Sequence, residues 1–313
     1  MNPSWKFLIT GNRFRFSETA AVCVTALLSV LALNCSQLGL DKKKDSSTSR
    51  NLLLLAALPK ATSLNFSTVV GSQKFACGTA YTVNGTANVK FRDFRFFVTD
   101  VKLISSDNTE IPFTLNTDNV WQSNGVALLD FETGSCGSTP SMGSGSAETN
   151  STVTGTVPAG SPSSYKGVKF SISVPTAINF QDSTTQPAPL NVNAMYWSWT
   201  SGYKFAKIEF SNDDFSANIT NLHLGSTSCV NKVCSKSYRP TISISKSSGT
   251  YNPSADTVTF DISAFLSGYA GYSSENSCMP GTNSNCLKIH NALGLDSEGN
   301  VSTSLTQTAF SIK

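Results

Sequence analysis

The chain has 313 residues, roughly twice the length of a typical domain, and is 39% hydrophobic and 10% aromatic, enough for a sizeable core. Only 14% of residues are charged, against about a quarter in an average soluble domain, and the net charge is +3. Rich in Ser and Thr, with no Lys/Arg cluster interleaved with aromatics and no apolar run of about 18 residues, the chain is read as neither a nucleic-acid binder, a coiled coil, a disordered tail nor an integral membrane protein.

Residues 1–34 read as an export signal: Lys6, Arg13 and Arg15 are a basic head, and 20–33 an apolar stretch of signal-peptide length. The stretch ends Leu31-Ala32-Leu33-Asn34-Cys35, a relaxed lipobox in which Cys35 would be lipidated. An ordinary signal peptide cleaved nearby is the other reading. Residues 35–63, with Asp41-Lys42-Lys43-Lys44-Asp45, form a polar tether that cannot bury a face. A short helix is expected at 52–58.

From residue 64 to the C-terminus the signal is period-two alternation bounded by turn residues, predicting one all-β domain, an antiparallel β-sandwich. Residues 91–103 place Phe94, Phe96 and Val98 on one face, then shift phase to Val101 and Leu103, which predicts a bulge. Residues 125–131 are a short apolar run of the fully buried type. Val168, Phe170, Ile172 and Val174 alternate with polar residues up to Pro175. Met195, Trp197 and Trp199 recur at every second position, so one strand would carry all three on one face. Such a patch is either packing or an oxidisable, soft-donor surface. In the following segment Leu222 and Leu224 face one way and His223 the other. Ile242 and Ile244, then Val258, Phe260 and Ile262, give two further strands, and 263–269 a short helix. The stretches 134–150, 181–189 and 246–256 read as loops within the domain.

With Cys23 and Cys35 set aside in the signal and anchor, six cysteines remain, an even number that favours disulfides in an oxidising compartment. Short spacing pairs Cys229 with Cys234 and Cys278 with Cys286, and elimination pairs Cys77 with Cys136. A zinc–thiolate site is disfavoured because no Cys-x-x-Cys exists and the chain has only 2 His. No nucleophile elbow, zincin helix, phosphate loop or dinucleotide fingerprint is present. A carboxylate-only hydrolase is the one enzyme class that spacing leaves open.

In chain order, Phe75-Ala76-Cys77-Gly78, Asp93-Phe94-Arg95-Phe96, Trp121-Gln122, Val126 to Glu132 and Tyr165-Lys166-Gly167 to Val174-Pro175 form a recognisable series. It continues with Pro187-Ala188-Pro189-Leu190-Asn191, Met195-Tyr196-Trp197-Ser198-Trp199 and Gly202-Tyr203-Lys204-Phe205. It then runs through His223-Leu224-Gly225-Ser226-Thr227 to Cys229, Cys278-Met279, Cys286 and Leu293-Gly294-Leu295. The series resembles the MbnP-like proteins, the four-Cys member of the metallo-mystery pair, which include a methanobactin-associated periplasmic copper-binding protein. The resemblance implies a non-enzymatic copper binder that is itself the substrate of a di-haem, MauG-like peroxidase. That partner would oxidise a Trp to kynurenine, whose aryl amine ligates copper beside imidazole. Residue by residue, it implies His223 as a ligand, kynurenine from Trp197 or Trp199, and Met195 or Met279 as optional soft donors. His290 would supply a second imidazole, although it maps onto no family ligand.

Trp5 would leave with the signal, and Trp121 sits in a turn-like stretch. One departure stands out: where the family reads Asn-His, this chain reads Asn179-Phe180. The combined expectation is a copper-binding lipoprotein of the bacterial envelope, periplasmic or surface-displayed, touching the membrane only through its lipid. A surface lipoprotein of the same fold that has lost metal binding is the alternative.

Overall fold

The computed structural model describes residues 58–132, 136, 149–198, 200–213, 215, 218–273, 276–278 and 284–313. The signal segment, Cys35, the tether up to residue 57, Trp199 and Met279 lie outside them. No helix among the described residues is long and apolar enough to cross a membrane.

The longer strands, in chain order, are β1 (Lys60–Val70), β2 (Thr86–Ile104), β3 (Val126–Asp130), β4 (Thr152–Val157) and β5 (Gly167–Ile172). A short pair follows, β6 (Tyr196–Ser198) and β7 (Gly202–Tyr203), then β8 (Ala206–Ser211) and β9 (Ile219–Leu224). The chain continues through β10 (Thr227–Val230), β11 (Val233–Lys236), β12 (Thr241–Ser245), β13 (Thr257–Asp261) and β14 (Phe310–Ile312). Two helices are α1 (Ile262–Phe265) and α2 (Ser284–Ala292).

One sheet runs β14–β13–β1–β4, and a larger one β12–β5–β2–β8–β9 with β3 on β2. The pairing is antiparallel except for β1 with β13 and β9 with the short strand at Asn276–Ser277, which are parallel. Interlocked phenylalanines join the two sheets: Phe66 with Phe170 at 5.6 Å, Phe94 with Phe260 at 5.1 Å and Phe96 with Phe310 at 6.0 Å between ring centroids. Edge-to-face contacts of this kind add to the area term that dominates core stability.

The expected bulge in β2 is present. The register against β5 shifts between Lys169 and Ser171, and Asp100 adopts a left-handed φ of 52°. That extra residue lets both Phe96 and Leu103 reach the core. All three expected disulfides form: Cys77–Cys136, Cys229–Cys234 and Cys278–Cys286. Two differences follow from backbone pairing, which side-chain pattern does not report. The first strand begins at Lys60, not after residue 63, because its polar start pairs with β4 from Lys60↔Val157 onward. The 9-residue α2 buries Cys286, Ile289 and Ala292 against the core and is bridged from Cys286 to Cys278, in a stretch whose pattern is too short to announce a helix.

Candidate functional site

On β9, alternation buries Leu222 and Leu224 completely and turns His223 to the opposite face, as the pattern demands. There His223 lies across from Lys207 of β8, its side chain 12% exposed. Its Nε2 sits 2.8 Å from Glu209 Oε1. Burial alone would raise the Glu209 pKa. Its bonds and charge contacts with His223, Lys207 and Arg92 outweigh that and hold the carboxyl well below its usual range. The group is therefore a carboxylate at neutral pH, and Nε2–H donates to it. Burial lowers the His223 pKa against the pull of Glu209, so the ring is neutral and Nδ1 carries the lone pair. Nδ1 has no hydrogen-bond partner among the described residues. A carboxylate that fixes the tautomer of a histidine is the usual support of a metal-ligating imidazole.

Glu209 belongs to a buried charge network that the alternation did not reveal. Asp93 and Arg95 of β2 are 0% and 1% exposed, and Lys207 and Glu209 are buried beside them. Register places like charges directly opposite, Lys207↔Arg95 and Glu209↔Asp93, so attraction runs along the strands and the diagonals. Arg95 Nε donates to Asp93 Oδ1 at 2.9 Å, while its Nη2 bonds Asp93 Oδ2 and lies 3.1 Å from Glu132. Lys207 Nζ bridges Asp93 and Glu209, and Arg92 Nε reaches Glu209 Oε2 at 2.6 Å. Nearby, burial pushes Asp130 up to about 7 despite the attraction of Arg95. In the sequence these residues alternate with Phe94, Phe96, Ile208 and Phe210, the pattern of a solvated face.

The aromatic segment departs from the single strand expected. Met195 ends a 3-10 turn at Asn193–Met195, and the strand is only Tyr196–Ser198, paired through Tyr196↔Tyr203. Met195 is consequently enclosed in the core, off the face that Trp197 presents. Half-buried Trp197 packs its benzo ring on Gly225, two residues after His223. A Cβ at Gly225 would stand 2.5 Å from Trp197 Cζ3 and 2.7 Å from the Tyr203 carbonyl oxygen. Gly225→Ala is therefore expected to displace the indole and destabilise the fold by about 1–3 kcal/mol through overpacking. Denaturant midpoints and tryptophan emission check this, and a parent-like spectrum and midpoint would contradict the packing. Beyond the indole opens a cleft of about 470 Å³, lined among others by Ser226, Thr227 and Cys229.

His290, the second expected imidazole, is buried. His290 on α2 is 3% exposed, its ring 5.2 Å from that of Tyr238. Burial pushes its pKa down to about 4, and Nε2 has no partner. Its recorded ring contact is thus with Tyr238, while His223 engages Glu209. Phe180, at the position where a histidine was expected, is buried. The adjoining Asn179 Oδ1 accepts from Tyr203 N at 3.2 Å, which sets this segment against the Trp197 hairpin. Among the described residues no three His, Cys, Asp or Glu side chains are grouped to hold a metal. Among the described residues, His223 is the imidazole whose tautomer a carboxylate fixes, two residues before the glycine that seats Trp197.

A family model described as MbnP matches residues 59–286. Among solved structures, MbnP from Methylosinus trichosporium is similar, with a TM-score of 0.62 and 21% identity. The alignment covers 82% of this chain and 98% of that one, a likeness of fold. No curated protein sequence matches the chain. The family match takes in the Trp197 hairpin, His223 and all three bridges, and it stops at Cys286, before His290. Over most of its length, then, this chain belongs to the MbnP family.

Proposed function

We propose that the protein is an exported, lipid-anchored copper-binding protein of the bacterial envelope, with His223 as a ligand and an oxidised tryptophan at 197 or 199 as its neighbour. The observation that carries this reading is the Glu209–His223 hydrogen bond, on the strand whose Gly225 seats Trp197. Copper in such a site would draw on imidazole and aryl-amine nitrogen. The amine would come from a di-haem peroxidase partner that uses peroxide as the oxidant and opens one indole to kynurenine. The protein is then the substrate of that reaction and not an enzyme. His290 and Met195, both buried, are not needed for this assignment.

Protein purified from its native host, with the partner active, should carry kynurenine at position 197 or 199 by peptide mass spectrometry and bind copper. Protein made without the partner should keep both indoles and bind more weakly. His223→Ala should lose most of the copper. Because ligation needs the neutral ring and burial lowers its pKa, affinity should fall only as pH drops below about 6.5. Intact indoles in host-derived protein would reduce the aromatic patch to packing. Undiminished binding by a folded His223→Ala variant would remove the ligand assignment.

Phe180 favours a second reading, a surface lipoprotein that has kept the fold and lost the metal, because it puts a phenyl ring where the family supplies imidazole. Host-derived protein with kynurenine present and no copper uptake is the outcome that selects it.

A further inference from the structure

We propose that the cleft over Trp197 is a binding site for a neutral polyhydroxylated ring, that is, a saccharide unit of a glycan. At about 470 Å³ the cleft falls in the range of small-ligand pockets. Its wall is half-buried Trp197, whose ring is held in one orientation by contact with Gly225. Around it stand the hydroxyls of Thr200, Ser201, Thr227 and Ser228.

Those hydroxyls differ in availability. Thr200 Oγ1 is 2.9 Å from Ser198 Oγ, and the deeper Ser226 donates to the Ser237 carbonyl at 2.8 Å. Thr227, Ser228 and Ser201 carry hydroxyls with no protein partner among the described residues, each able to donate one bond and accept two. Ser228 holds a left-handed φ of 53°, and the Cys229–Cys234 bridge staples the β10–β11 hairpin directly after it. The backbone that carries Thr227 and Ser228 is therefore set before any ligand arrives, which lowers the ordering cost of binding.

None of the described lining residues is ionisable, so an anionic or cationic ligand would find no counter-charge. A purely apolar ligand would cover the hydroxyl rim and leave it unpaired. A sugar ring satisfies both walls: its C–H face lies on the indole and its hydroxyls exchange bonds with Thr227 and Ser228. The site needs no metal and uses the intact Trp197 indole, so it coexists with the copper reading in the case where position 199 is the one oxidised.

The test uses full-length protein made without the oxidising partner, so that Trp197 is unmodified. Cellotriose and N,N′,N″-triacetylchitotriose are titrated separately while tryptophan emission is followed, and the probe that binds distinguishes a plain from an N-acetylated glycan source. A saturable change with a Kd on the order of 1 mM is expected for at least one of them. Thr227→Val with Ser228→Ala should weaken it about tenfold, and Trp197→Ala should abolish binding measured by calorimetry. Should Trp197→Ala not fold, the surface double variant alone decides. No saturable response to either sugar up to about 20 mM, or undiminished affinity in the folded variants, would overturn the proposal.

Discussion

Replacing Arg95 by methionine is expected to destabilise the protein by about 3–5 kcal/mol, because it strips the counter-charge from carboxylates that cannot reach water. Asp93 is fully buried and Glu132 nearly so, and the guanidinium bonds the first through two nitrogens and approaches the second at 3.1 Å. Lys207 still reaches Asp93 once Arg95 is gone, yet nothing replaces the fork geometry that satisfied both its oxygens. The loss comes from stranding charge and not from the net worth of the pair. Adding Asp93→Asn and Glu132→Gln to Arg95→Met should therefore recover part of it, although three ionic groups have then been removed. Urea midpoints at constant m-value give the comparison. A single variant within about 1 kcal/mol of the parent would show that the network is better solvated than its burial indicates.

The second large effect concerns the bridge with the widest span. Cys77 and Cys136 are 59 residues apart, against 5 for Cys229–Cys234 and 8 for Cys278–Cys286. In the chain-entropy account a loop of that length restricts the unfolded chain by about 4 kcal/mol, and the shortest by about 2 kcal/mol. Replacing both Cys77 and Cys136 by alanine should therefore lower stability most, and replacing Cys229 and Cys234 least. Alanine avoids placing unpaired hydroxyls where Cys77 and Cys136 are buried. Equal losses for the three pairs would show that local packing, and not loop length, sets their contribution.

Much of the fold was legible from period-two alternation because one face of nearly every strand meets the core. Phe94 and Phe96, Val168 and Phe170, and Leu222 and Leu224 are all buried as their spacing requires. The phase slip at Asp100 was visible for the same reason. Alternation ranks the two faces and does not state whether the polar face is wet. Asp93, Arg95, Lys207 and Glu209 therefore looked solvated, although the fold buries them. Met195 was placed on a strand with Trp197 for a different reason. A spacing of two presumes extended backbone throughout, and the Asn193–Met195 turn breaks it one residue before the strand begins. The helix at Ser284–Ala292 could not be read because its buried face, Cys286, Ile289 and Ala292, spans barely two turns and carries polar residues between. For the site, His223 was correctly turned away from the leucines, while its partner Glu209 is fourteen residues earlier and adjacent only through strand register.

Phe310 ties together parts of the chain that lie far apart in sequence. Its ring centroid lies 6.0, 5.4 and 4.8 Å from those of Phe96, Phe170 and Phe260, and so joins three separate stretches of chain. The opening strand β1 likewise waits for β13, almost two hundred residues downstream, as Asn65↔Thr257 records. Contacts of such long separation form slowly. Closure of this interior is therefore governed by encounters between remote stretches of chain and not by the zipping of neighbouring hairpins.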